Sequence, residues 1–376
     1  MAIFIKRFNT LDEHQQFINS SDFMTPNVCS IVGVAKPYYY SNVILTSTSN
    51  PDAMAFCYNQ GWSSSSEKMT QAEAAKVTDI TGVFSGSSIT NFDELQYFTG
   101  LTEIPNNAFQ GCSNLTSIVL PPVTKIGNYA FEGCSNLTTL DIPDSVSVIG
   151  GYAFNGCSNL ANVKLGEGLT EIGHASFYNC PSLPVEDGLR YADTLLVEVV
   201  DREKETYNIK EGTERIENFV FSGCTSLTSL VIPDSVFSIG RYLCSDCTNL
   251  TSVTVGNKLI DLKAATFSGC TSLHTVTLPD TVEKIGGSAF RECKALETIE
   301  LPATLYYIGN SAFTNCTSLK DIVCHAETAP EIQNRTFANV MKNGVLHYPS
   351  GSNYDSWLST SSYYLGKYGW TGQEIE

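Results

Sequence analysis

From Leu101 onward the apolar residues fall into one phrase that recurs in ten copies. In one copy, Leu115, Ile118 and Leu120 lead to Pro121, Val123 and Ile126 lead to Gly127, and Ala130 and Phe131 lead to Cys134 and Leu137. Polar or small residues fill most of the gaps. The phase is marked by Cys112, Cys134, Cys157, Cys180, Cys224, Cys247, Cys270, Cys293 and Cys316, and Val340 takes the slot in the last copy. Successive steps are 22, 23, 23, 44, 23, 23, 23, 23 and 24 residues. A period near 23 held over that distance predicts a solenoid, in which each copy is one coil that buries its apolar face only against its neighbours. A functional surface is therefore expected along the stack and not in one deep pocket.

Within a copy, Ile118 and Leu120 alternate with Ser117 and Val119 in the two-residue rhythm of a strand, which turns Ser117 and Val119 outward. Pro121 ends that strand, as do Pro143, Pro233, Pro279 and Pro302 at the same phase, with Gly166 and Gly256 as stand-ins. A second extended piece closes in Ile-Gly, at Ile149-Gly150, Ile172-Gly173, Ile239-Gly240, Ile285-Gly286 and Ile308-Gly309. There glycine is expected to supply a backbone angle that a Cβ resists. Ala-Phe-x-x-Cys reads as about one helical turn, with Phe and Cys on one face.

These residues resemble the BspA-like, treponemal-type class of leucine-rich repeats, with its consensus Leu-x-x-Ile-x-Leu-Pro-x-x-Val-x-x-Ile-Gly-x-x-Ala-Phe-x-x-Cys-x-x-Leu, over about residues 83–345. The resemblance implies a curved right-handed solenoid with a parallel β-sheet on its concave side and about 23 residues per coil, closed by N- and C-terminal caps. It implies less about activity, because fold and function are separable. Family members in gut and oral bacteria are often surface proteins that adhere to host proteins or to other cells. The implied function is non-enzymatic protein binding or adhesion, at the cell surface or in secreted form, toward a protein or glycan.

If the outward strand positions carry that function, the candidate surface is Ser229, Val231, Ser252, Thr254, Thr275, Thr277, Thr298 and Glu300. The same columns include Ser117, Thr139, Asn162 and Asp321, and beside them Val119, Asp141, Lys164 and Val323. Strands of successive coils lie about 4.8 Å apart, so each column forms a nearly continuous row. Small polar residues suit a broad, shallow contact and suit a plain solvated face equally well. Tyr129, Tyr152, Tyr306 and Tyr307, expected on the convex side, are the competing contact.

Three stretches depart from the repeat. In the 44-residue step, residues 191–200 and 205–209 read as two strands around the charged turn Asp201-Arg202-Glu203-Lys204, a hairpin insertion near 188–211 that caps or spaces the coils or protrudes as a contact. Residues 1–49 read as an appendage, with a helix at 11–18 and extended pieces at 29–34 and 38–45. Residues 50–82 read as a helical cap, with Thr70 and Glu73 spaced as a capping box. Residues 346–376 are rich in Tyr, Trp and Gly and fit either a C-terminal cap or an aromatic platform for carbohydrate. The competing function follows from the first of these segments: a structural or assembly component of a cell envelope or phage-like particle, joined through residues 1–49.

Charge narrows the partners. With 22 Lys and Arg against 39 Asp and Glu, the net charge of -17 argues against nucleic acid and anionic lipid. No apolar run reaches the roughly 18 to 20 residues of a membrane span. The first eight residues do not read as a signal peptide, which keeps a cytoplasmic location open. The repeated cysteines read as compact reduced core residues, and the lone C-x-x-C at Cys244 and Cys247 is weak evidence for zinc or redox chemistry. His14, His174, His274, His325 and His347 are scattered. No cofactor, metal or nucleophile motif occurs. Asn114, Asn136 and Asn249 sit in Asn-x-Thr sequons that belong to the repeat itself and read as turn residues. The oligomeric state is left open.

Overall fold

The computed structural model describes residues 43–376. The helix expected at 11–18, the extended piece at 29–34 and most of the 1–49 appendage lie outside the described residues. Each regular coil contributes two short strands, and strands of successive coils pair in parallel, which makes a β-solenoid of about 12 turns with about 23 residues per coil.

The Leu-x-x-Ile-x-Leu phrase builds the first ladder. Thr139–Asp141 pairs with Asn162–Lys164, Ser229–Val231 with Ser252–Thr254 and then Thr275–Thr277, and Thr298–Leu301 with Asp321–Cys324 and Val345–Pro349, all parallel. The central residues Leu140, Leu230, Val253 and Ile299 are buried, as the alternation requires. The Ile-Gly phrase builds a second parallel ladder, through Glu103–Ile104, Lys125–Ile126, Val148–Ile149 and Glu171–Ile172, and again through Asp261–Leu262, Lys284–Ile285, Tyr307–Ile308 and Glu331–Ile332.

Two local expectations change. Ala-Phe-x-x-Cys is not a helical turn but part of a third, turn-based ladder. The Tyr129 amide donates to the Gly151 carbonyl at 3.0 Å, Phe131 to Ala153 at 2.7 Å and Gly133 to Asn155 at 2.8 Å. Alternate amides leave their own coil for the next, whereas an α-helix keeps them inside. Left-handed residues make the bends, Tyr129 at φ 57° and Gly133 at φ 72° in this copy. The residue before the Cys slot is Gly, Asn or Asp in every copy but that of Glu292, the types for which this angle costs least. The Ile-Gly glycines, by contrast, are not left-handed. A Cβ on Gly150 would lie 2.5 Å from the Asn128 nitrogen and 2.6 Å from the Gly127 carbonyl carbon, so glycine is there to let neighbouring coils approach.

Between the ladders run two internal columns. Phe84, Phe109, Phe131, Phe154 and Phe177 stack face to face with ring centroids 5.0 to 5.3 Å apart, and Phe267, Phe290, Phe313 and Phe337 repeat this at 5.2 to 5.7 Å. All are fully buried. The cysteines form the second column and do more than fill space. Cys157 Sγ donates to the Phe131 carbonyl at 3.2 Å, Cys180 to Phe154 at 3.2 Å and Cys316 to Phe290 at 3.0 Å. In eight copies a thiol thus bridges one coil to the one before it, Cys224 and Val340 being the exceptions, and Cys fits the slot better than an apolar residue of its size. Burial holds the Cys180 and Cys224 thiols protonated, pushing them up to about 12 and about 11. Cys244 and Cys247 are both buried and unpaired, Cys244 in a Phe slot and Cys247 donating to the Phe221 carbonyl at 2.9 Å.

The hairpin lies earlier than its charged residues suggest. Leu189–Ala192 pairs antiparallel with Leu195–Val199 around Asp193-Thr194, while residues 205–209 form no strand. Asp193 is left-handed at φ 56°, and its carboxylate accepts the Leu165 amide at 2.9 Å, which anchors the tight turn to the preceding coil. Its second strand then pairs in parallel with Arg215–Ile216 and re-enters the second ladder. The hairpin is two-sided. Ala192, Leu195 and Val197 join the amino-terminal buried cluster, and Leu189, Tyr191, Leu196 and Val199 join the carboxy-terminal one.

At the amino-terminal end of the array, Val43–Thr46 pairs antiparallel with Lys68–Thr70, and helices Pro51–Asn59 and Gln71–Ala74 follow, the second closed by the Thr70 and Glu73 capping box. Their Met54, Cys57, Met69 and Ala74 share a buried cluster with Phe84 and Phe109. At the other end Trp357 and Tyr354 are buried, with Trp357 Nε1 donating to the Pro330 carbonyl at 3.0 Å. Trp370 is also buried and donates to the Met341 carbonyl at 2.7 Å. Inward placement removes these rings from any carbohydrate platform.

Candidate functional site

The outward columns are assembled by register. Ser229, Ser252 and Thr275 are Cα partners across three adjacent strands, and so are Val231, Thr254 and Thr277. Thr298 and Glu300 continue onto the next strand, where they pair with Asp321 and Val323. Val231, Thr254, Thr275, Thr277, Thr298 and Glu300 are exposed, and Ser229 and Ser252 are half-buried. Ser, Thr and Val at alternate positions follow from the strand rhythm, since only the intervening residue packs inward. Hydroxyls and methyls in rows offer short hydrogen-bonding groups on a flat support with little side-chain entropy to lose.

The competing tyrosines do not form one surface. Tyr129 and Tyr152 lie on the turn ladder and stack at 5.3 Å, whereas Tyr307 belongs to the second ladder, with Tyr306 beside it under the Lys284 ammonium at 5.4 Å. The turn-ladder rings continue further than the tyrosine set. Tyr152 meets His174 edge to face at 5.4 Å, His174 meets Phe219 at 5.4 Å, and Phe219 stacks on Tyr242 at 4.8 Å.

Beneath that aromatic row the turn ladder is broken. Its last amino-terminal bonds run from Phe154 to Ser176 and from Gly156 to Tyr178, and it resumes with Phe219 to Arg241. The hairpin stands where a coil would have offered carbonyls. Glu217 fills the gap from the position that most other copies give to the Ile-Gly glycine, and its carboxyl faces the amides of Phe177, Ser176 and Ala175. Only 6% of the residue is exposed, and its Oε1 makes no hydrogen bond. Burial outweighs the facing amides and pushes the carboxyl up to about 8. A cleft of about 370 Å³ opens beside it, walled by Tyr152, His174, Tyr178, Phe219 and Glu198. On its other side a cavity of about 290 Å³ is lined by Glu171, Arg215, Arg241 and Lys263.

The pattern of the BspA type leucine rich repeat region matches six copies in this chain, over residues 81–185 and 203–320. The chain belongs to the BspA-type leucine-rich repeat family. The stretch between the two matched intervals holds the hairpin strands, so the BspA-type phrase lapses where the ladder is interrupted. Among solved structures the chain is similar to a leucine rich cell surface protein from Faecalibacterium prausnitzii A2-165, at 28% identity over 63% of this chain and 77% of that one, with a TM-score of 0.39. It is similar to a leucine-rich repeat protein from Bacteroides ovatus at 25% identity over 74% and 82%, TM-score 0.39. A Treponema pallidum (T. pallidum) leucine rich repeat protein matches at 33% identity over 48% and 76%, TM-score 0.27. No curated protein matches the chain.

Against the BspA-type consensus, the signal for the broken ladder is Ile216-Glu217 in place of Ile-Gly. Among the described residues no group of three or more His, Cys, Asp or Glu is placed to hold a metal ion, and no helix is long and apolar enough to cross a membrane.

Proposed function

We propose that this BspA-type protein is a non-enzymatic binding or adhesion protein, exported to the cell surface or secreted, that meets a protein or glycan through the outward columns after the hairpin. The observation that carries the reading is the residue-on-residue register of Ser229, Ser252 and Thr275 beside Val231, Thr254 and Thr277. Three coils in step give a flat, repetitive surface, which suits an extended partner better than a small molecule held in a pocket. In the same proposal residues 50–82 and 346–376 serve as caps, since both ends bury apolar side chains against the array. Export is tested by brief protease treatment of intact source cells. Loss of the full-length chain before lysis is expected; protection until lysis would contradict the reading.

A further inference from the structure

We propose that the cleft at the broken turn ladder receives a lysine or arginine side chain of a polypeptide partner, with the Glu217 carboxylate as counter-ion and the Tyr178 and Phe219 rings against the apolar stem. This is a different surface from the outward columns, so either proposal can fail without the other. The chemistry of the walls selects the ligand. The amides of Phe177, Ser176 and Ala175 face the Glu217 carboxyl, yet its buried Oε1 accepts no hydrogen bond of normal geometry, and such an under-satisfied acceptor gains most from a charged donor. The cleft's other charges are engaged. Glu198 pairs with Arg190 at 2.7 Å, and Arg202 Nη1 donates to the Ser222 carbonyl at 2.8 Å. Across Glu217, Arg215 is held through Nη1 by Glu214 at 2.9 Å and through Nη2 by the Leu169 carbonyl, with its Nε unpaired, and Lys263 by Asp261 at 3.0 Å; Glu171 and Arg241 line the same far cavity. Glu217 is therefore the acid in the cleft left without a cation.

The walls and rim favour a cation that arrives on a chain. Aromatic faces attract ammonium and guanidinium groups, and the volume of about 370 Å³ is small for a binding pocket and ample for one long side chain. Around it Tyr129, Tyr178, Phe219 and Tyr242 are exposed, an apolar rim that a free amine would leave uncovered and a polypeptide would bury. The net charge of -17 adds long-range attraction for a basic partner.

Binding of a cation requires the ionised carboxylate, which links it to pH. The free carboxyl, titrating at about 8, is mostly charged at pH 8.5 and mostly protonated at pH 6.5, so affinity should fall about tenfold or more on acidification. Tyr152, His174, Tyr178, Glu198 and Arg202 also face the cleft, and Glu217→Gln separates the Glu217 contribution from theirs. The test is titration of the full chain with Nα-acetyl-lysine methylamide and Nα-acetyl-arginine methylamide, followed by calorimetry at both pH values, with n-pentylamine and Nα-acetyl-norleucine methylamide as comparisons. Saturable binding of the basic probes is expected, weakened tenfold or more by Glu217→Gln and by Tyr178→Ala, with the tenfold pH dependence lost in Glu217→Gln save for what His174 contributes. Tyr178 is 51% exposed, so its variant keeps the fold. Failure of both basic probes to saturate by about 10 mM, equal binding of the norleucine probe, or undiminished binding in Glu217→Gln would overturn the proposal. Pentylamine binding as tightly as the blocked lysine would overturn the polypeptide part of it.

Discussion

Phe131→Ala is expected to cost about 3 to 5 kcal/mol of folding stability. The ring is fully buried between Phe109 at 5.1 Å and Phe154 at 5.3 Å and lies within 7° and 10° of parallel to them. The flanking coils are tied by two strand ladders and by turn-ladder bonds such as Phe109 to Ala130 and Phe131 to Ala153, at 2.7 Å each. They cannot close on the void, which places the cost toward the upper end of that range. A double-mutant cycle with Phe154→Ala should return a coupling of about 0.5 to 1.5 kcal/mol for the stacked pair. Coils in a solenoid touch only their neighbours, so the damage should be local. The amino-terminal buried cluster ends in the hairpin side chains Ala192, Leu195 and Val197, and protection should be lost up to there and kept around Phe267 to Phe337. Urea melts supply the energy and hydrogen exchange read by mass spectrometry supplies the location. A loss below about 1 kcal/mol, or equal loss of protection in both blocks, would refute the stacked-column account.

Three further outcomes follow from the same geometry. The twelve cysteines among the described residues are buried and unpaired, so a thiol reagent at neutral pH should leave them unreacted until denaturant is added; rapid native reaction at Cys157 or Cys293, identified by peptide mapping, would contradict the column. Gly150→Ala should destabilise by several kcal/mol, because its Cβ would fall 2.5 Å from backbone, while Gly151→Ala, with its nearest neighbour at 3.4 Å, should be nearly neutral; equal melting temperatures for the two would be the contrary result. Glu217 keeps its proton up to about pH 8 when folded and releases it at about 4.3 when unfolded, so the folded state binds more protons in between and stability falls as pH rises through that window, by up to about 1.4 kcal/mol per unit. Glu217→Gln removes that fall, and its advantage in Tm over the native chain should grow from pH 5 to pH 8; a constant difference would show ordinary ionisation.

The solenoid is legible in the sequence because its contacts are one-dimensional. A fixed step of Ile, Phe and Cys places each residue above its counterpart, and the outward columns follow from the two-residue rhythm. What the pattern hides is what one coil does to the next. Phe and Cys three apart fit a helical turn as well as the bends that are present, and only the amides passing from Phe131 to Ala153 distinguish them. The Ile-Gly glycine invites an argument from backbone angle, whereas the constraint lies in the coil beside it. Asp201 to Lys204 is the louder turn signal, yet Asp193 makes the hairpin turn through one left-handed residue and one anchoring bond. Glu217 breaks the glycine slot, but Pro105, Lys263 and Gln333 break it too, and without the hairpin's position in space the sequence does not single out Glu217. Trp357 and Trp370 look like surface chemistry until burial places them inside.

The central claim, that the outward columns are the binding face, is tested most directly by flow cytometry of fluorescently labelled protein on cultured epithelial cells. The native chain is compared with a variant carrying Ser252→Glu, Thr254→Lys, Thr275→Glu and Thr277→Lys and with one carrying Tyr129→Ala and Tyr306→Ala. The four column positions are exposed or half-buried, so each change should shift stability by less than about 0.5 kcal/mol. The account predicts that the column variant loses cell binding at an unchanged Tm while the tyrosine variant keeps it. Full binding by the column variant, or its loss only through the tyrosines, would contradict it.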